Sequence, residues 1–240
     1  MSYVERTHQY GASVADSSAE ARTLFIRKTY LHLALAILAF ALLESMFLGP
    51  LLPVMMPMLE KMLSGGFAWL VVLGAFMAVG WIADRWAQSD KSPAMQYLGL
   101  GIYVLAEALI FLPLLFIATM MTDPNVIPTA GILTGALFIG LTGTVFITRK
   151  DFSFMRGALM VGGFIAMGII VCAILFGFEL GTIFSVAMVA LAGGYILYYT
   201  SNVLHHYRTD QHVAASLALF AAVALMFWYI LRLVMSMSRD

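Results

Sequence analysis

A chain of 240 residues that is 62% hydrophobic, only 11% charged and formally neutral, with a mean hydropathy of +0.93, cannot cover a water-soluble surface of its own size. Its composition is that of a protein solvated by lipid. The neutral balance offers no basic stripe to nucleic acid, and a single cysteine, Cys172, excludes an intrachain disulfide or a cysteine-built metal centre.

Residues 1–20 are polar and of mixed charge, without the apolar core of a signal peptide, so the first hydrophobic helix is expected to be kept as an anchor. Ser17 and Glu20 form an S-x-x-E pattern that predicts a helix start ahead of the membrane, with Arg22, Arg27 and Lys28 at its base. Seven continuous apolar runs follow, at 30–49, 66–83, 97–120, 129–147, 157–176, 180–202 and 213–235. Each meets or approaches the roughly 20 residues that a helix needs to cross hydrocarbon. None alternates in the manner of a barrel strand. The predicted fold is therefore all-α, a polytopic membrane bundle of seven transmembrane helices. It forms one domain over 30–240, preceded by a tail (1–29) that carries the start of the first helix. Pro50, Pro53 and Pro57 break the chain after the first span, and the apolar stretch 51–63 is expected to lie along the interface. Asp123, Pro124 and Pro128 force the turn between the third and fourth spans.

Lysine and arginine counting sets an expected orientation. Ten lie on one side, in the tail (Arg6, Arg22, Arg27, Lys28) and the 2–3 (Arg85, Lys91), 4–5 (Arg149, Lys150, Arg156) and 6–7 (Arg208) connections. Lys61, Arg232 and Arg239 lie on the other. The asymmetry predicts an N-terminus inside and a C-terminus outside.

Ionisable groups at membrane depth cost roughly 3 kcal/mol on insertion scales, so each is a candidate site. Glu107 stands out, near the middle of the third span and six residues before Pro113. It reads either as a proton or cation site facing a polar cavity or as a neutral acid hydrogen-bonded to a neighbouring helix. Glu44 and Glu179 fall near the outer ends of their spans, where interfacial solvation is the simpler reading, and Arg232 can snorkel or pair with either. Asp84 and Arg85 read as interfacial anchors beside Trp81 and Trp86. His205, His206 and His212 crowd the 6–7 connection with Asp210, but their spacing matches no metal motif, and a solvated loop is expected there. Gly131 and Gly135 form a G-x-x-x-G, and Gly162, Gly163, Gly193 and Gly194 also lie inside spans, a pattern that permits close helix packing.

Enzyme motifs are missing: no H-E-x-x-H, G-x-S-x-G or Walker loop is present, no aspartate lies in an apolar run, and the last span has no lysine. No cofactor or metal is expected.

The segment Phe25-Ile-Arg-Lys-Thr-Tyr30 resembles the opening of the Bax inhibitor-1 (transmembrane Bax-inhibitor motif) family, as does Gly194-Tyr-Ile-Leu-Tyr-Tyr-Thr-Ser-Asn-Val-Leu-His205. The connection Thr148-Arg-Lys-Asp-Phe-Ser-Phe154 is most similar to the YccA branch, bacterial inner-membrane proteins that interact with the FtsH protease. The resemblance implies a bundle whose last span is surrounded by the other six. It also implies either partner regulation or a calcium leak governed by paired aspartates in spans six and seven. Here those two positions hold Tyr199 and Ala222, which cannot form a carboxylate pair. The reading that follows is a non-enzymatic regulator in a bacterial inner membrane, modulating an FtsH-like protease through the tail and Arg149, Lys150 and Asp151. The alternative is a calcium or proton leak channel using Glu107.

Overall fold

The computed structural model describes residues 13–89, 92–121 and 123–238; Arg6, Lys91 and Arg239 of the charge count lie outside them. The described residues form eight helices and no strand: α1 (Ala19–Leu48), α2 (Leu52–Leu63), α3 (Gly66–Ala87), α4 (Pro93–Met121), α5 (Val126–Thr148), α6 (Arg156–Phe176), α7 (Thr182–His205) and α8 (His212–Met237). All but α2 are long and apolar enough to cross a membrane. Several run about a turn beyond the apolar runs, because the polar flanks at 84–87 and 93–96 continue the helix into the headgroup region.

The helix ends differ from the sequence reading in three places. The N-cap of α1 is Ser18, whose Oγ accepts the Ala21 amide at 3.2 Å, and not Ser17. Ser17 instead closes the preceding 3-10 turn, donating to the Ser13 carbonyl at 2.8 Å. Of the three early prolines only Pro50 breaks the chain; Pro53 sits in the first turn of α2, where its missing N–H is not needed, and Pro57 is tolerated inside that helix. Pro128 likewise falls in the first turn of α5, so the turn there is made by Asp123, whose Oδ1 accepts the Asn125 amide at 2.7 Å.

The last helix is the axis of the bundle. Half of the apolar window of α8 is buried, against 6% for α3. It packs directly on α1, α3, α4, α5 and α7, most extensively on α7. The expectation that it is surrounded by the other six is met by five. The exception, α6, comes near it only through a side-chain cluster of Ala166, Met188 and Tyr229. Small residues permit this central position, with Ala222 and Ala224 of α8 sharing a core with Ala192 of α7. Around them Phe111 of α4 meets the rings of Phe40, Phe227 and Trp228 at 5.1, 5.8 and 4.9 Å. Outward-facing Leu31, Leu35, Ile132, Ile139, Phe164 and Ile183 form the lipid-facing surface.

The short α2 folds back over one end, Leu59 packing with Phe47 of α1 and Leu112 of α4. At the opposite, basic end, residues 13–17 cross the α7–α8 connection: Val14 donates to the Tyr207 carbonyl at 2.8 Å, and Arg22 caps the Ala15 carbonyl at 2.6 Å.

The glycines divide into two kinds. Gly131 and Gly135 face open space, so their G-x-x-x-G packs nothing within the chain, whereas side chains crowd Gly162, Gly163 and Gly194. The closest backbone approach is at a glycine the motif reading passes over. A Cβ on Gly99 of α4 would stand 2.5 Å from the Ala83 carbonyl oxygen and 2.7 Å from the Ala87 amide of α3. Gly99→Val is expected to lower stability by about 1–3 kcal/mol. Gly101→Val, which meets nothing within 4 Å, serves as the control for helix propensity. Thermal unfolding of both in detergent, with a lower Tm only for Gly99→Val, checks the contact.

Candidate functional site

Because α6 stands off from α8, a partly open cavity of about 470 Å³ lies between α3, α4, α6, α7 and α8. Aliphatic and aromatic side chains make most of its wall, Trp69 and Phe76 of α3 among them. The polar groups on it are few: Tyr103 and Glu107 of α4, Tyr195 and Tyr199 of α7, and Tyr229 and Arg232 of α8.

Glu107 sits at the midpoint of α4 and is 95% buried, with 5% of its surface exposed. One turn earlier on α4, Tyr103 lines the same wall. Tyr199 and Ala222, the two positions where the resemblance places an aspartate pair, also lie on that wall. Tyr199 stacks on Tyr195 at 5.9 Å, and the Tyr195 hydroxyl donates to the Leu159 carbonyl at 2.9 Å. At the far end, Arg232 donates to the Leu180 carbonyl at 3.0 Å and lies 6.0 Å from the Tyr229 ring. There the cavity adjoins a smaller one of about 370 Å³, lined by the exposed Glu179 together with Leu180 and Arg232.

Glu44 is not where the sequence reading puts it. It belongs to the inward stripe of α1 with Ala36 and Phe47, is 5% exposed, and neither carboxyl oxygen has a hydrogen-bond partner. The reason is tertiary: this stretch of α1 turns inward on the bundle, where Phe47 packs with Leu59 of α2 and Leu112 of α4. Arg232, turned to Leu180, does not hydrogen-bond to it.

The connection between α5 and α6 is exposed yet fastened. Arg149 ends α5 in the left-handed region, at φ 51°, the one positive-φ non-glycine among the described residues. The Phe152 amide donates to Ser201 Oγ at 2.8 Å, and His206 meets the Asp151 carboxylate at 3.0 Å. Arg149, Lys150 and Asp151 are thus held in place while their side chains face out. The solvated-loop expectation for the histidines is corrected on this point. His206 is a fastener, and His205 turns a buried Nε2 inward with no partner. No group of three metal-ligating side chains occurs among the described residues. Asp84 and Arg85 act locally: Arg85 stacks over Trp81 at 4.8 Å, and Asp84 accepts from Gln88 at 2.7 Å.

A seven-span helical bundle with a buried mid-span carboxyl on a cavity defines a polytopic membrane protein. The chain belongs to the family described as inhibitor of apoptosis-promoting Bax1, which it matches over residues 22–240. It is 28% identical to the Golgi anti-apoptotic protein of Vaccinia virus (strain Lister), over 97% of this chain and 93% of that protein. It is 26% identical to Protein lifeguard 4 of Mus musculus, over 96% and 92% of the two chains. A bacterial relative, an uncharacterized membrane protein of Vibrio cholerae, is 31% identical over 52% of this chain and 56% of its own. No solved structure matches the chain.

Sequence reasoning finds Glu107 but passes over Tyr103, although its i, i+4 spacing on α4 would have disclosed it. Ser201 carries no sequence signal, since its partner lies 49 residues away.

The fastening of the connection depends on pH in a defined sense. Slight burial raises the Asp151 pKa, but the Ser153 amide, His206 and the Ser153 hydroxyl outweigh it and lower the value from an ordinary 3.8 to about 2. A depressed carboxyl stabilises the fold above its unfolded pKa, and that contribution is lost as pH falls from 3.8 through about 2. Asp151→Asn is expected to release the connection at neutral pH. Hydrogen exchange at the Phe152 amide should be faster in that variant than in the unmodified protein.

Proposed function

We propose that this chain is a non-enzymatic membrane protein that conducts protons through its interior cavity, with Glu107 as the exchanging carboxyl. The observation that carries the reading is a buried mid-span carboxyl on the wall of a 470 Å³ cavity that is also lined by Tyr199 and Ala222. Charged groups are placed at that depth only at a cost, so a carboxyl facing a cavity is a functional candidate by default. The chemistry of the wall favours protons over calcium. Calcium takes six to eight oxygen ligands, roughly, and the cavity offers one carboxyl and a few phenols. With Tyr199 and Ala222 in place of a carboxylate pair, proton exchange falls to Glu107, with Tyr103 one turn away on the same wall.

Glu107→Gln keeps the shape of the side chain and removes the exchangeable proton. Proton flux into proteoliposomes, followed with a pH dye and compared with calcium flux in parallel, should drop in this variant to the level of protein-free vesicles. Equal flux in both proteins, or none in either, would overturn the reading.

A second reading rests on a different observation. The exposed, fastened Arg149, Lys150 and Asp151 form a fixed polar surface of the kind a protein partner can use. Regulation of an FtsH-like protease, as in the YccA branch, fits that surface and an inner-membrane location with the N-terminus inside. A regulatory role also accords with the anti-apoptotic activity stated in the name of the viral relative. Recovery of a protease subunit with the unmodified protein but not with Arg149→Ala/Lys150→Ala would support this role, and recovery of none with either would remove it.

A further inference from the structure

A second cavity, of about 480 Å³, opens at the basic end and shares no residue with the Glu107 cavity. It lies between the first turns of α1, the start of α4 and the α7–α8 connection, with Lys28, Gln96, Tyr97, Thr209, Asp210 and His212 as its polar wall. We propose that this cavity binds the phosphate of an anionic lipid headgroup.

The position along the membrane is the first argument. At 1.5 Å per residue, the 30 residues of α1 span about 45 Å, against roughly 30 Å of hydrocarbon, so about ten residues of that helix project beyond it. Lys28 is the last lysine or arginine of α1, and from Leu33 to Leu43 the helix is wholly apolar, which places Lys28 and His32 at the headgroup boundary. Tyr97 near the start of α4 and His212 at the start of α8 stand at the same level, where tyrosines of membrane proteins concentrate.

The chemistry is the second. His212 and Tyr97 meet only weakly, at 3.4 Å between Nε2 and the hydroxyl, so each remains open to a better partner. His32, one turn after Lys28, closes the cluster, its ring 5.1 Å from that of His212 and 5.4 Å from that of Tyr97. Its Nδ1 lies 2.7 Å from the Lys28 carbonyl; because a carbonyl only accepts, that nitrogen carries the hydrogen. The one carboxylate on the wall, Asp210, is occupied by Arg208, through Nε at 3.1 Å and Nη2 at 2.6 Å. Gln96 is likewise taken, its Nε2 donating to the Ser89 carbonyl at 2.8 Å. What remains is the Lys28 ammonium with the Tyr97 hydroxyl and the His212 ring, beside the N-terminus of α8, which no side chain caps.

The apolar part of the wall identifies the source of the phosphate as a lipid. Leu24 lines the cavity and is itself half exposed, and the outward faces of α1 and α4 continue from it as Leu31, Leu35 and Leu98. A headgroup seated on Lys28 would thus leave its acyl chains on a leucine surface already facing the bilayer.

The test is native mass spectrometry of the full chain released from nanodiscs of dioleoylphosphatidylglycerol or of dioleoylphosphatidylcholine. The unmodified protein should retain phosphatidylglycerol in preference to phosphatidylcholine. Lys28→Gln should reduce that retention about fivefold, the effect of one basic group near an anionic surface. His212→Gln should reduce it as well, giving a second variant at a different helix. Arg156→Gln, an exposed basic residue at the same end but outside the cavity, should leave retention unchanged. Equal retention by the unmodified protein and Lys28→Gln would overturn the proposal. So would an equal loss with Arg156→Gln, which would mean diffuse attraction, or displacement of the lipid by inorganic phosphate, which would assign the cavity to a soluble phosphate compound.

Discussion

Burial of the last helix is the constraint on which the rest of this bundle depends. In lipid no hydrophobic force drives helices together, so close packing has to do it, and close packing needs small residues. The alanines of α8 let α7 approach along its length, while the rings around Phe111 fill the space that α1 and α4 leave. Once α8 is central, the other spans are peripheral by necessity and turn leucine, isoleucine and phenylalanine to the lipid.

The cavity is a consequence of the same arrangement. Five spans pack on α8 directly and α6 does not, so the space between α6 and α8 is lined from both sides and flanked by α3, α4 and α7. Bulky residues on α8 hold it open: Trp228 and Tyr229 line it where Ala221 and Ala222 leave room. A carboxyl on α4 reaches this space because α4 packs on α1, α3 and α8 at once, and its inward face at the middle of the span is Glu107, Ala108 and Phe111.

Tyr199 and Ala222, where the resemblance places an aspartate pair, both line this cavity. Its one carboxyl, Glu107, lies on a different helix, a turn away from Tyr103. A single acid suits exchange of a proton, whereas a pair suits sharing one. At the basic end, Lys28, Tyr97 and His212 line a separate cavity, with His32 against the last two.

The sequence by itself determined the seven spans and their helical nature, because about 20 apolar residues without alternation admit only one hydrogen-bonded solution in hydrocarbon. It also singled out Glu107, since a charge inside such a run is visible without coordinates. Tertiary structure decided what depends on which helix covers which. Glu44 near a helix end looks solvated in sequence, but it lies on the inward stripe of its helix and is buried. The G-x-x-x-G of α5 looks like a contact, but Gly99 is where two backbones meet. His32 and His212, 180 positions apart, share a cluster because α1 and α8 cross where Ser216 bonds the Thr29 carbonyl. Local sequence fixes whether a helix forms and how far it spans. Its neighbours, set by packing between distant segments, fix what each side chain touches.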